Sequence, residues 1–497
     1  MRNLSYPGLI VKSLTIAIFL VVSGCAVNPV SGKKEFILMS EQQEIALGAE
    51  SDPQIVAEFG LYDNSTFQNF IQTRGKEIAA ISHRPNLNYQ FRVLDSPVVN
   101  AFAVPGGYVY FTRGIMAYFN NEAQFEGVLG HEIGHIAARH SAEQYTSQML
   151  GQVLLIGGVI VSKEIRAFAN EAQTAMGLLF LKYSRDHETE ADKLGVEYST
   201  KVGYDANHMA DFFKTLKSLS EASGSEIPTF LSTHPDPGNR YKEVGELTKE
   251  WQAKVPKTTY KVNRDAYLAM IDGVTYGEDP RQGFVASGVF YHPELKFLFP
   301  FTSDWKLANS PTQVQIAPSN GKALIIFTLA QGSSPQDAAS QTSTDLGLTV
   351  ISSKNVTING NQAVEVIAEQ VSQDPSTGAE SKISVKSMYI KYGTNIYVFH
   401  GVTTPADYQT YVSHFDKSMY GFKQLTDPSK INVVPERIKV VAVKQSGTLA
   451  SALQSYGMPT NRHKELAILN GMELNDQVSA GMKFKILDKL GKSTTTP

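Results

Sequence analysis

Apolar positions recur at helical spacing over residues 40–250, and from residue 284 they gather instead into short runs rich in β-branched and aromatic residues. Asn120-Asn121-Glu122 predicts a helix start, with Asn as N-cap and an acid in the first turn. That helix is expected to carry Phe125 and Val128 inward and to run toward Ser147. Phe91–Leu94 and Gly107–Phe111 read as strands split by Pro105-Gly106-Gly107. Two later apolar stretches, 153–161 and 176–181, are shorter than a membrane span and are expected to be buried helix segments.

The change of texture divides the chain. Ala323–Thr328 and Ile396–Phe399 have strand character, so residues 284–425 form a second, α+β domain in this reading. A third unit, 435–490, shows a strand–helix–helix–strand pattern. The fold class is thus α+β multidomain, with a mainly helical first domain over 26–275. Composition agrees: 497 residues, 42% hydrophobic, can bury several cores. A net charge of -3 and no basic stripe argue against nucleic acid as a partner.

The single cysteine, Cys25, follows a charged start (Arg2, Lys12), the apolar run Leu14–Val22 and Ser23-Gly24. Residues 1–25 resemble a bacterial lipoprotein signal ending at the cysteine that becomes lipidated. Ala26 after the cysteine resembles lipoproteins sent to the outer membrane of Gram-negative bacteria. The expected location is therefore the cell envelope, facing the periplasm, with the membrane reached through a lipid anchor.

The candidate chemistry sits on the predicted helix, at His131-Glu132-Ile133-Gly134-His135. Residues four apart on a helix differ by about 40° around its axis, so the two imidazoles can share one Zn²⁺. Glu132 beside them can take a proton from water. A catalytic zinc needs three protein ligands. His140 lies five residues past His135, about 140° around a continuous helix, and is expected to point away. Downstream, Glu188 and Asp192 share a helix face: one carboxylate can bind metal while the other accepts the far N–H of a ligating His. Glu190 is expected to face elsewhere, and His187 and His208 to be structural or exposed.

His-Glu-x-x-His, Ser184-Arg185-x-x-Glu188-x-Glu190-Ala191-Asp192 and Asn100–Gly107 together resemble the gluzincin family that includes HtpX, the CAAX prenyl proteases and BepA. The resemblance implies one Zn²⁺ on His131, His135 and Glu188, with Asp192 behind them. Ser232-Thr233-His234-Pro235 followed by Arg240 resembles the Ser-x-His-Pro segment of periplasmic members. It implies that His234 can cap the zinc and hold the enzyme latent, while Arg240 holds an oxyanion or the substrate backbone. The implied activity is zinc-dependent endopeptidase cleavage of envelope proteins, as quality control. The alternative is a chaperone or assembly factor, or a peptidoglycan-binding lipoprotein, with little proteolysis. Residues 100–111 are expected to pair with an extended substrate by strand addition. Phe290-Tyr291-His292-Pro293, Phe297 and Asp304-Trp305 resemble the opening of PsbP-like domains. Gly447-Thr448-Leu449, Tyr456-Gly457, Leu466–Gly471 and Phe484–Leu487 resemble LysM, a peptidoglycan-binding module, which makes peptidoglycan a candidate partner.

Overall fold

A computed structural model describes residues 25–37, 39–148, 155–156, 159–160, 183–223, 229–235, 240–373 and 380–489. The signal-like segment before Cys25 and the apolar stretch 176–181 lie outside them.

The first region begins with two helices, α1 (Glu41–Phe59) and α2 (Ser65–Ala79). Ser40 and Gln43 close a capping box on α1, and Asn64 caps α2 by accepting from Thr66 and Phe67. A three-stranded sheet follows: β1 (Gln90–Leu94), β2 (Ala101–Val104) and β3 (Tyr108–Thr112). Its order is β1-β3-β2, with β1 and β3 parallel and β2 antiparallel at the edge. The short α3 (Arg113–Tyr118) leads to α4 (Glu122–Ala137), capped by the Asn121 side chain on Gln124 N–H. All residues of α4 are buried, as expected of a helix that is packed on every side.

The predicted continuous helix to Ser147 is interrupted. Arg139 adopts φ 64°, which ends α4, and a new helix, α5 (His140–Gln148), starts at once. The left-handed residue re-aims His140, so the angle expected for an unbroken helix does not apply. The buried-helix reading of 153–161 also fails where it is described: Leu155–Ile156 and Val159–Ile160 are short antiparallel strands.

Three helices close over α4: α6 (Arg185–Lys201), α7 (Asn207–Ser223) and, after the short α8 (Thr229–Thr233), α9 (Arg240–Lys254). The α4–α6 approach is set by glycine. A Cβ on Gly130 would stand 3.1 Å from Gly195 Cα, and one on Gly195 would stand 2.9 Å from Gly127 O. Larger side chains there would push the helices apart.

Residues 284–425 build two antiparallel sheets. One orders Lys423–Gln424, Phe297–Pro300, Val289–His292 and Phe284–Ala286. The other has seven strands, in the spatial order Lys306–Asn309, Gln313–Ala317, Ala323–Leu329, Asn395–Thr403, Glu380–Tyr392, Asn361–Gln373 and Thr349–Ile358. Their aromatic core includes Phe290, Phe299, Phe327, Phe399 and Phe415. The last unit pairs Glu436–Ala442 with Lys483–Lys489 and, on its other side, with Thr275–Tyr276. Two helices, Leu449–Ser455 and His463–Leu469, lie between. This unit shares one hydrophobic core with the first region, where Ile438, Leu466 and Phe484 join the cluster of Phe119, Phe125 and Tyr267. Among the described residues no helix is long and apolar enough to cross a membrane.

Candidate metal centre

Helix α4 presents His131 and His135 one turn apart, and their Nε2 atoms stand 3.0 Å from each other. The close α4–α6 packing brings Glu188 to them. Its Oε1 lies 3.4 Å from His135 Nε2, and its Oε2 lies 3.6 Å from His131 Nε2. His234, just past α8, completes the group: its Nδ1 is 3.0 Å from Glu188 Oε1 and 3.3 Å from His131 Nε2. One ligand atom from each of these four buried residues falls within 4.8 Å of the others.

The charge states suit a cation. Burial drives the His135 imidazole well below its ordinary value, so it is neutral and has a lone pair to give. Burial works to raise the Glu188 carboxyl, but the charges of His234 and Arg240 outweigh it and hold it well below the ordinary range. Two nitrogens, a carboxylate and a further imidazole are a borderline donor set, which suits zinc better than calcium or magnesium. Several buried atoms here, Glu188 Oε2, His234 Nε2 and both oxygens of Glu132, have no hydrogen-bond partner. Such orphans mark a place where a further group belongs.

Around the four lies a supporting layer. His131 Nδ1–H donates to Asp192 Oδ1 at 2.9 Å, which leaves its Nε2 as the donor to the centre. Arg240 grips Asp192 with Nε and Nη2 at 2.7 and 2.6 Å, and its Nη2 lies 3.3 Å from Glu188 Oε2. Arg240 was expected to hold an oxyanion or substrate backbone. It is instead buried, with its guanidinium turned onto these two carboxylates.

His140 and Glu190 stay outside the four, yet they touch one of them. His140 Nδ1 is 3.0 Å from His135 Nδ1, and His140 Nε2 donates to Glu190 Oε2 at 3.0 Å. With its Nε2 proton on Glu190, His140 accepts at Nδ1, and His135 turns Nε2 toward the centre. Neither residue joins the four, but together they orient one of them. Tyr183, which the sequence did not single out, stacks on His135 with ring centroids 3.8 Å apart. The signal for all three is tertiary: His140 depends on the break at Arg139, and Tyr183 and Glu190 reach the centre only through long-range packing. His187 Nε2 lies 3.1 Å from Glu143 Oε2, and His208 Nδ1 lies 3.1 Å from Asp211 Oδ2.

Glu132 is fully buried, with Oε1 3.6 Å from His234 Nε2. Burial raises its carboxyl above the ordinary value, against the opposing pull of His234 and His131. A carboxylate in that condition is a better proton acceptor than one in water. The edge strand β2 runs alongside. Ala103 O accepts from Ser141 Oγ at 3.1 Å and from Tyr183 Oη at 3.4 Å, while Val99 O accepts from Phe230 N–H at 3.2 Å.

Comparison with known proteins places this centre in a family region. Residues 66–248 match peptidase family M48. The mitochondrial metalloendopeptidase OMA1 of Arabidopsis thaliana is 30% identical over 211 residues, covering 41% of this chain and 42% of its own. The beta-barrel assembly-enhancing protease of Escherichia coli is 25% identical over 241 residues, covering 46% and 48%. The chain thus spans less than half the length of either relative. The solution structure of a cyanobacterial PsbP from Synechocystis aligns with 29% of this chain and 96% of its own, at 11% identity and a TM-score of 0.23. That likeness fixes neither fold nor function.

Proposed function

We propose that this chain, a member of the M48 gluzincin family through residues 66–248, is a zinc metalloendopeptidase of the bacterial envelope. One observation carries the reading: four buried donor atoms converge beside a buried glutamate whose carboxylate oxygens make no hydrogen bond.

His131, His135 and Glu188 would hold the zinc, and Zn²⁺ when bound supplies a Lewis acid for a water and for the scissile carbonyl. Glu132 takes the proton of the attacking water and returns it to the leaving amine. Asp192 and the His140–Glu190 pair fix the orientation of the two imidazoles. Arg240 is a positioning residue, which holds Asp192 and Glu188 rather than touching substrate. His234 stands in the place a fourth ligand would take, which supports a latent resting state. For substrate to enter, His234 must withdraw together with Phe230, whose N–H is bonded to Val99 O just before β2. Residues freed on β2 can then pair with an extended polypeptide.

The relatives named for β-barrel assembly support misassembled envelope proteins as substrates, and the lipoprotein-like start supports attachment through Cys25. Cleavage of unfolded casein by the purified chain, abolished by a chelator and restored by zinc, tests the assignment. Cleavage that survives complete removal of metal contradicts it.

A further inference from the structure

A cavity of about 480 Å³ opens between the peptidase region and the β-rich region. Val98, Asn100 and Phe102, in and before β2, line one side, and Leu295 and Pro311 line the other. Five carboxylates also line it: Glu58, Asp95, Glu278, Asp279 and Glu294. Two of them are neutralised locally. Asp95 accepts from Arg113 Nε at 2.6 Å, and Asp279 accepts from the Arg281 fork, the shortest contact being 2.5 Å. Glu58, Glu278 and Glu294 have no ion-pair partner among the described residues.

The nearby cations offset them only in part: Arg113 also acts on Glu278 and Arg281 on Glu294, but neither forms an ion pair with them. Arg113 gives its hydrogen bonds to Asp95 and to the carbonyls of Thr275 and Gly277. Burial lowers the His292 imidazole to about 4, so it is neutral. Desolvation raises the Glu58 carboxyl above its ordinary value, although the Thr312 and Ser310 hydroxyls partly offset this.

An independent feature points to a ligand. Asn100 is 4% exposed and lines the cavity, yet its Oδ1 has no hydrogen-bond partner. A buried acceptor in that state calls for a donor. Surplus negative charge, an unused amide oxygen and apolar walls together fit a long apolar stem tipped with an N–H-rich cation. A hydrated metal ion would leave Phe59, Phe102 and Leu295 without a counterpart.

The cavity also lies on the expected path of a polypeptide. Ala103, whose carbonyl meets Tyr183 beside His135, is three residues from Asn100, a run of about 10 Å along an extended strand. We propose that this cavity is a subsite that receives a lysine or arginine side chain of a polypeptide paired along β2, a few residues from the bond cut at the metal centre. The inference rests on the peptidase reading for its occupant. It adds a substrate preference built partly by residues outside the family region.

The test uses the full chain carrying Glu132→Gln, so that nothing is cleaved. The probe is a short fluorescein-labelled alanine–serine peptide with arginine at every third position, compared with its glutamine counterpart. The arginine peptide should bind at least about tenfold more tightly, and the margin should shrink with added salt. In a Glu278→Gln/Glu294→Gln background the margin should fall below about twofold, with the melting temperature unchanged. Both substitutions lie on exposed rim positions and remove no ion pair. Equal binding of the two peptides, or a margin that survives the double substitution, overturns the subsite. Failure of the native chain to cut casein while the margin persists overturns the peptidase reading instead.

Discussion

His131, Glu132 and His135 are legible as a group because one helical turn sets their geometry locally. Glu188 and Asp192 follow by the same rule, since they are four apart on α6. What local spacing does not reveal is who supports whom. His140 is re-aimed by the φ 64° residue at Arg139, and Arg240 reaches α6 only through the packing of α9. Three expectations belong at this scale. Glu188→Ala should lose most of its zinc by metal analysis, because the imidazoles left behind carry no charge to balance the cation and His234 loses the carboxylate that holds it. His140→Ala should weaken zinc binding by about 10–100-fold, as loss of an outer-shell partner does, and a competition titration with a chelator reads this directly. Were His140 merely a bystander, the two titrations would coincide. His234→Ala should raise basal casein cleavage if the side chain holds the latent state. An unchanged or lower rate would make it structural.

The helices α4 and α6 work as one element. Gly130 and Gly195 let their backbones meet, so that a carboxylate on one reaches imidazoles on the other. Gly195→Ala puts a methyl group 2.9 Å from Gly127 O, and that backbone oxygen cannot swing aside. Overpacking of this kind costs about 1–3 kcal/mol, so the melting temperature should fall. Zinc affinity should fall with it, because Glu188 moves away from the histidines. A stable variant with native zinc affinity would show that the approach of the two helices is not what sets the site. The small-residue spacing is visible in the sequence, but its purpose emerges only when the partner helix is known. The mispredicted stretch at Leu155–Ile160 shows the opposite limit: a short apolar run has no period by which to tell strand from helix.

At the scale of the whole molecule, the change of texture near residue 284 marks the β-rich region well, because strand and helix periodicities differ. The docking of 435–489 onto the peptidase region is not legible, since it depends on residues more than 300 positions apart. Lys485 donates from Nζ to Ala117 O at 2.8 Å and to Phe119 O at 3.1 Å, at the end of α3 just before α4. Burial drives its amine well below the ordinary 10.5. The unfolded chain therefore binds more protons between that depressed value and the ordinary one, and stability should rise with pH across this window. Lys485→Met should flatten that rise relative to the native chain and cost about 1–3 kcal/mol by leaving the two carbonyls unpaired. Because they share a core, the last unit and the peptidase region should melt in one transition, and two separated transitions would contradict this. The claim on which the rest depends is that Glu132 moves the proton in a zinc-dependent hydrolysis. Its most direct test is the rate at which zinc-loaded Glu132→Gln cuts casein, with one metal per chain verified in the same sample. The rate should fall by about 10²–10⁴-fold or more while zinc content and fold stay native; native-rate cleavage by that variant would contradict the account.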